Sequence, residues 1–195
     1  MIDTYTRGLF QKLFDVISRP FIKFNIHPIV ITIAAFITGI ISVFFLASGD
    51  YIAFVIILWL SGFLDVLDGT VARLTSRATV IGGFLDLMSD RIIEFSVIIG
   101  FAIIMPDIRF SLILFLCSVV FNFSTFLFAA LLVKNTGIKS FHYDAGIMER
   151  TETFIGFTIA ALFNSHAGYI IFVITALIFL TGILRSIKII QINHN

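Results

Sequence analysis

Long runs of apolar residues, separated by short polar stretches, dominate this sequence. A helix that spans a bilayer needs about 20 mostly apolar residues. Three runs reach that length, at about 28–48, 110–133 and 168–187. A shorter run starts near Met148 and ends at the turn "NSHAG". The pattern therefore predicts three clear membrane-spanning helices and one shorter helix.

Two further apolar runs are interrupted by acidic residues. Residues 52–64 are apolar but stop at Asp65, and residues 92–105 are apolar apart from Glu94. If the helices continue through 65–74 and 80–91, both become long enough to span, joined by the short loop "TSRATV". A tight hairpin places its two polar halves in the same leaflet, facing each other. We therefore predict six transmembrane helices in an all-α fold, with both termini on one side.

The basic residues indicate the orientation, because cytoplasmic loops carry an excess of Lys and Arg. The basic residues on one side of the predicted spans are Arg7, Lys12, Arg19, Lys23, Arg73, Arg77, Lys134, Lys139, Arg150, Arg185 and Lys188. The opposite loops contain only Arg109. This asymmetry predicts that the acidic hairpin faces the cytoplasm.

The first residues have a different pattern. In segment 3–26 the apolar residues recur near helical spacing, with basic residues between them, which is typical of an amphipathic helix at the membrane interface. The predicted organisation is an interfacial helix over 1–27, a six-helix transmembrane domain over 28–190 and a short tail over 191–195.

The amino-acid composition indicates that lipid surrounds much of the protein. Charged residues make up 13% of the chain, whereas a soluble domain carries about 25%. The net charge of +1 gives no indication of a nucleic-acid partner. Cys117 is the single cysteine and is predicted to be a small buried apolar residue.

Four aspartates lie in the predicted hairpin. Asp65 and Asp68 are three residues apart, and Asp86 and Asp90 are four apart, so each pair lies on one face of its helix. An ionised carboxylate inside a bilayer costs at least a few kcal/mol. One interpretation is a network of ion pairs with neighbouring arginines. We favour a site for Mg²⁺ or Mn²⁺, since these ions prefer carboxylate oxygens and bind substrate phosphates.

The hairpin resembles the signature of a known family, the CDP-alcohol phosphatidyltransferases. The matching pattern is Asp65-x-x-Asp68-Gly69-x-x-Ala72-Arg73, then eight residues, then Gly82-x-x-x-Asp86-x-x-x-Asp90. The resemblance implies a six-helix membrane enzyme, usually a homodimer. Such an enzyme uses divalent metal, with two ions expected, to replace the CMP of a CDP-linked lipid with a small alcohol.

The same resemblance implies roles for individual residues. Asp65, Asp68 and Asp86 would be metal ligands, and Asp90 would be a ligand or neighbour that also acts as the catalytic base. The residues that would bind the nucleotide are Gly69, Arg73, Thr79 and Thr32. The last of these belongs to a Pro28-x-x-x-Thr32 pattern at the start of the first span.

Basic residues near the last two helices suggest where the acceptor binds. The candidates are Arg150, Arg185, Lys134 and Lys139, although for the two lysines a role as topology signals is the favoured interpretation. A basic pocket would suit an acceptor that already bears phosphate, such as inositol phosphate or glycerol 3-phosphate.

We therefore predict an enzyme of the inner or plasma membrane that transfers a phosphatidyl group from a CDP-linked lipid to a small polar alcohol. One alternative is a CDP-choline or CDP-ethanolamine phosphotransferase acting on diacylglycerol, which needs the same hairpin. A more remote alternative is a cation transporter that uses the aspartates as a pathway. Transporters typically repeat their broken helices in both halves, whereas the acidic hairpin here has no counterpart in the second half.

Overall fold

The structure is a computed structural model that describes residues 2–132 and 148–194, with side chains described over 11–131 and 148–191. The described residues are almost entirely helical. The helices are α1 (Ile2–Lys23), α2 (Pro28–Ala47), α3 (Tyr51–Leu74), α4 (Val80–Ile104), α5 (Arg109–Leu132), α6 (Arg150–Leu162) and α7 (Ala167–His194). Short 3₁₀ turns at Pro106–Ile108 and Asn164–His166 precede α5 and α7. The predicted all-α class is confirmed.

Within the described part of the chain, four helices are long and apolar enough to cross a membrane, namely α2, α3, α5 and α7. Helix α4 has 25 residues but carries the acidic residues of the hairpin. Helix α6 has 13 residues and is therefore about 20 Å long, whereas the hydrocarbon core is about 30 Å thick. Four of the six predicted spans thus meet the criterion of length and composition, and the other two stay predictions.

Polar side chains define the ends of the hairpin helices. Asp50 caps α3, where its Oδ1 accepts a hydrogen bond of 3.0 Å from the amide of Ala53. Thr79 caps α4, where its Oγ1 accepts from the amide of Gly82, also at 3.0 Å. The connection between these helices comprises residues 75–79 and turns at Ser76, whose φ of +55° is in the left-handed region. The predicted loop "TSRATV" is therefore confirmed to within one residue.

The chain forms two compact units. In the first, which covers Tyr5–Pro106, α2 packs against both α3 and α4. Gly39 permits this close approach, because a Cβ there would lie 2.5 Å from Cδ1 of Ile93 and 2.9 Å from Oγ of Ser61. The Ser61 hydroxyl donates a hydrogen bond of 2.7 Å to the Ala35 carbonyl. These contacts fix the spacing between α2 and the two helices of the acidic hairpin, α3 and α4.

The second unit contains α5, α6 and α7, with α7 packed against the other two. Gly156 on α6 lies against Ile174 on α7, so closely that a Cβ at this glycine would overlap the isoleucine side chain. The amide of Met148, just before α6, donates a hydrogen bond of 3.1 Å to Oγ1 of Thr181. Glu149 and Glu152 form a capping box at the start of α6.

Much of the helix surface is apolar. Large side chains with most of their area exposed include Phe44, Phe110, Phe128, Tyr169 and Ile52. Cys117 is also exposed, so its predicted burial is wrong. The prediction assumed that a small apolar residue turns inward, but a helix surrounded by lipid has no reason to hide such a residue.

Candidate active site

Three of the four predicted aspartates come together at the hairpin. Asp65 and Asp68 lie on α3 and Asp86 lies on α4, and one carboxylate oxygen from each falls within 4.8 Å of the others. Asp68 is buried, with 5% of its surface exposed, and the other two are partly buried. We call these three residues the carboxylate cluster.

The chemistry of the carboxylate cluster fits a hard divalent cation. The charges of Asp65, Asp90 and Asp68 all act on Asp86. Among the described residues, Oδ1 of Asp86 is buried without a hydrogen-bond partner. Several carboxylates this close repel one another, and a buried acceptor without a donor is costly. A divalent cation with oxygen ligands would remove both problems, so the residues present are suited to Mg²⁺ or Mn²⁺.

Asp90 lies one helical turn after Asp86 on α4, and it is partly buried. It does not belong to the carboxylate cluster, although its charge acts on Asp86. Three aspartates are therefore arranged as the ligands of a metal ion would be, and the fourth, Asp90, lies beside them but outside that group. The role of Asp90 as base or additional ligand stays a prediction.

The candidate nucleotide residues Gly69 and Arg73 lie next to each other on α3. The Arg73 side chain is exposed and folds back along its helix, where Nη2 donates a hydrogen bond of 3.0 Å to Oγ1 of Thr70. A Cβ at Gly69 would lie 3.2 Å from Nη1 of Arg73. Because glycine has no side chain, position 69 leaves room for the Arg73 guanidinium. Arg73 follows the buried Asp68 by a little more than one helical turn.

The two candidate threonines have different surroundings. Thr79 is exposed at the start of α4, where it forms the cap described above. Thr32 is buried in α2, and its hydroxyl donates to the carbonyl of Pro28 at 3.2 Å. Both hydroxyls therefore already take part in the backbone hydrogen bonding at a helix start.

Sequence reasoning missed a contact that holds the hairpin loop. Nη2 of Arg77 donates a hydrogen bond of 2.7 Å to Oδ1 of Asn25, between α1 and α2. Asn25 has a φ of +53°, which asparagine tolerates better than most residues. An asparagine preceding the Pro28 helix start is a turn signal, but nothing in the sequence pairs it with a residue 52 positions away.

Another pair lies directly after the aspartates on α4. Nη1 of Arg91 lies 2.6 Å from Oε2 of Glu94, and Nη2 donates a hydrogen bond of 3.0 Å to Oε1. From the sequence, Glu94 was equally compatible with a pair to Arg91 and with a supporting role beside Asp90. The structure shows the pair.

The candidate acceptor residues belong to the second unit. Arg150 lies at the start of α6, with its guanidinium carbon 5.2 Å from the centre of the Phe154 ring. Arg185 on α7 is buried and donates hydrogen bonds to Asn122 on α5. Lys134 and Lys139 lie outside the described residues.

The fold and the acidic hairpin define an integral membrane phosphotransferase, and comparison with known proteins gives the family. Residues 25–186 match the family model for CDP-alcohol phosphatidyltransferase. The chain therefore belongs to the CDP-alcohol phosphatidyltransferase family and is an enzyme. The resemblance inferred from the hairpin motif is confirmed, and the cation-transporter alternative is not supported.

Two relatives in sequence cover most of the chain. One is the inner membrane protein YnjF of Escherichia coli, 32% identical over 95% of this chain and 93% of the relative. The other is the archaetidylinositol phosphate synthase of Pyrococcus horikoshii, 28% identical over 76% of both chains.

A solved structure has the same fold. The phosphatidylinositol phosphate synthase PgsA1 of Mycobacterium tuberculosis, in a crystal structure with CDP-DAG bound, superposes with a TM-score of 0.74. The match covers 91% of this chain and 94% of PgsA1, at 20% identity. PgsA1 has also been solved with manganese and citrate. At this level of identity the likeness shows the fold.

Proposed function

We propose that this protein transfers the phosphatidyl group of a CDP-linked lipid to the hydroxyl of a small polar alcohol and releases CMP. The observation that carries the proposal is the carboxylate cluster on a hairpin with the family signature. The CDP-DAG bound to PgsA1 supports a CDP-diacylglycerol donor or its archaeal equivalent. The names of two relatives, both synthases of inositol phosphate lipids, support a phosphorylated acceptor such as inositol phosphate.

In the proposed membrane arrangement the six helices from α2 to α7 form the transmembrane domain, and α1 lies on the cytoplasmic surface. The distribution of basic residues in the sequence supports this orientation. The lipid tail of the donor can then stay in the bilayer while the nucleotide and the acceptor arrive from the cytosol. A homodimer is part of the same proposal and is supported by the family resemblance.

Different residues of the hairpin would bind the metal and the phosphate groups. Asp65, Asp68 and Asp86 would hold Mg²⁺ or Mn²⁺, and Asp90 would provide a second ion with a ligand. A divalent metal held there would supply positive charge opposite the diphosphate and the departing CMP. Arg73 is exposed at the cytoplasmic end of α3, where its permanently charged guanidinium is suited to phosphate oxygens.

The reaction itself requires one bond to form and one to break. The acceptor hydroxyl oxygen forms a bond to the lipid-side phosphorus of the diphosphate. The bond from that phosphorus to the bridging oxygen breaks, and CMP leaves with the electron pair. The hydroxyl proton goes to Asp90, which lies beside the carboxylate cluster as a general base would.

Purified protein with CDP-diacylglycerol, Mg²⁺ and a panel of acceptors tests the proposal through CMP release. We expect release with a phosphorylated polyol. Release only with CDP-choline or CDP-ethanolamine plus diacylglycerol would show that the protein uses the other class of donor.

Replacing the proposed base provides a second test. Asp90→Asn keeps the size of the side chain but accepts no proton at neutral pH, so turnover should be lost while nucleotide binding is largely retained. Asp50→Asn is a matched control, because asparagine caps a helix as well as aspartate does. Wild-type turnover in Asp90→Asn would remove the base assignment.

A further inference from the structure

Helix α1 has two neighbouring rows of exposed side chains. The first row contains Lys12, Arg19 and Lys23, whose separations of seven and four residues place them on one helix face. All three are exposed. The second row contains Leu13 and Phe24, each one position further along the chain, with 53% and 74% of their surface exposed. A row of cations therefore runs directly beside a row of exposed apolar side chains.

The opposite face of α1 packs against the protein. Phe14 contacts Phe63 on α3, with 5.7 Å between the ring centres, and Ser18 is fully buried. Both residues are two positions away from the half-exposed Val16, which lies between the two exposed rows. They are therefore about 160° around the helix from Val16. These contacts hold α1 with its exposed rows turned away from α3.

The cations of the first row have little compensation within α1. The acid nearest to them in the helix, Asp15, accepts a hydrogen bond of 2.8 Å from Nε2 of Gln11. Among the described residues, no ion pair involves Lys12, Arg19 or Lys23. A partner that covers this face must therefore offer negative charge directly beside apolar surface.

An acidic phospholipid offers both, whereas a second copy of this chain does not. Amphipathic helices bind at a bilayer surface through their apolar area and through attraction of their basic residues to anionic lipids. Among the described residues, the exposed acids are Asp50 and Asp107. Both belong to the loops predicted on the other side of the membrane, so a second copy in the same bilayer presents neither of them to α1.

We infer that the exposed face of α1 binds the headgroups of acidic phospholipids. Lys12, Arg19 and Lys23 contact the phosphates, and Leu13 and Phe24 lie among the upper parts of the acyl chains. The inference rests on the position of α1 at the membrane surface in the proposed function, but not on the transferase reaction. It makes this face selective for one class of lipid, whereas an apolar face alone would lie equally well on any bilayer.

Fluorescence quenching at α1 in proteoliposomes tests the inference on the full-length protein. A bimane fluorophore is attached through Val16→Cys in a Cys117→Ser background, since Cys117 is itself exposed. The vesicles consist of phosphatidylcholine with a small fraction of a lipid spin-labelled on its acyl chain, either phosphatidylglycerol or phosphatidylcholine. Because each Lys or Arg near an acidic headgroup strengthens binding about fivefold, half-maximal quenching should need about tenfold less labelled phosphatidylglycerol than labelled phosphatidylcholine.

Removing the cations should abolish this preference without detaching α1 from the membrane. Lys12→Gln/Arg19→Gln/Lys23→Gln retains the apolar row, so the two labelled lipids should quench equally. Lys12→Arg/Arg19→Lys/Lys23→Arg is the matched control, because it keeps every charge and should keep the preference. Arg109→Gln removes an exposed cation from a loop predicted on the opposite side of the membrane and should keep the preference as well.

The possible results separate the inference from the proposed function. If neither labelled lipid quenches, as when a second copy covers the face, the position of α1 at the membrane and the inference both fail. Equal quenching by the two lipids at unaltered α1 would leave α1 at the membrane but overturn the binding of acidic headgroups. A preference that survives in the triple glutamine variant would overturn it too, because the selectivity would then come from other residues. CMP release in the same vesicles reports on the transferase reaction independently.

Discussion

Arg185 on α7 donates two hydrogen bonds to Asn122 on α5 from a single guanidinium nitrogen, 3.0 Å to the carbonyl oxygen and 2.8 Å to Oδ1. Its guanidinium carbon also lies 5.6 Å from the centre of the Phe126 ring. Only 8% of Arg185 is exposed. The arginine that was a candidate for acceptor binding therefore also links two helices of the second unit.

Removing the Asn122 side chain tests how much this contact contributes to the stability of the fold. Asn122→Ala leaves a buried guanidinium with one fewer acceptor, which should lower the free energy of unfolding by about 1–3 kcal/mol. The fall is measurable as a lower melting temperature in detergent. Ser124→Ala is the control, because the Ser124 hydroxyl donates only to the Val120 carbonyl of its own helix. Equal melting temperatures for the two variants would show that the contact contributes little.

The pairing of Arg185 with Asn122 shows what sequence patterns cannot supply. Asn122 lies within an apolar run, and neither its type nor its spacing indicates a partner 63 residues later. The contact exists because α5 packs against α7, and a local pattern carries no information on which helices pack. The pair of Asn25 with Arg77 escaped prediction for the same reason.

The carboxylate cluster could be predicted because its geometry is local. Residues three or four apart share a helix face, and a five-residue connection keeps the end of α3 and the start of α4 close in space. The separation of Asp65 from Asp68 and the short connection to Asp86 therefore indicated the cluster, but the spacing did not reveal that Asp90 lies outside it. Helix bounds were also close to prediction, since α2 was expected at 28–48 and spans Pro28–Ala47. The exposure of Cys117 was not predictable, because a helix in lipid can expose apolar residues on any face.

The hydrogen bond from Arg77 to Asn25 gives a second prediction. It ties the hairpin loop, which leads to Thr79, to the residues that precede α2 and Thr32. Asn25→Gly keeps the left-handed backbone conformation but removes the acceptor. Because one hydrogen bond contributes about 0.5–1.5 kcal/mol, the KM for the CDP-linked donor should rise severalfold, with little change in kcat.

The partner variant and a control complete this test. Arg77→Gln should raise KM by a similar factor, and the double variant should be no worse than either single one, since both remove the same bond. Lys23→Gln removes an exposed positive charge near the same turn and should leave KM unchanged. Fully additive effects would contradict a shared role.

Close packing of α6 on α7 gives a third prediction. Gly156→Ala introduces a methyl group where the buried Ile174 side chain already lies. Overpacking of this kind costs about 1–3 kcal/mol. Gly83→Ala is the matched control, because a Cβ there has nothing within 4 Å, and alanine favours a helix over glycine by about 1 kcal/mol. The melting temperature should fall for the first variant and rise for the second.

Shortening the opposing side chain checks the cause of that fall. Ile174→Val removes the Cδ1 atom that a Cβ at position 156 would overlap. The combination Gly156→Ala/Ile174→Val should therefore be more stable than the two separate losses would give by addition. A strictly additive result would mean that the contact with Ile174 is not what limits position 156.

The proposed metal site gives a fourth prediction, in which Asp86→Asn separates the stability of the carboxylate cluster from its binding of metal. Without metal, the variant should melt at a higher temperature than the wild type, because folding buries the Asp86 carboxyl among other acidic side chains, where it must repel them or take up a proton, whereas asparagine is neutral. With Mn²⁺ at about 100 times its dissociation constant, the wild type should gain about 2.7 kcal/mol, while the variant gains far less. A chelator should reverse the gain in the wild type. Asp107→Asn should respond to Mn²⁺ as the wild type does, since Asp107 lies outside the cluster. If Asp86→Asn melted below the wild type without metal and was stabilised equally by Mn²⁺, the cluster would not be a metal site.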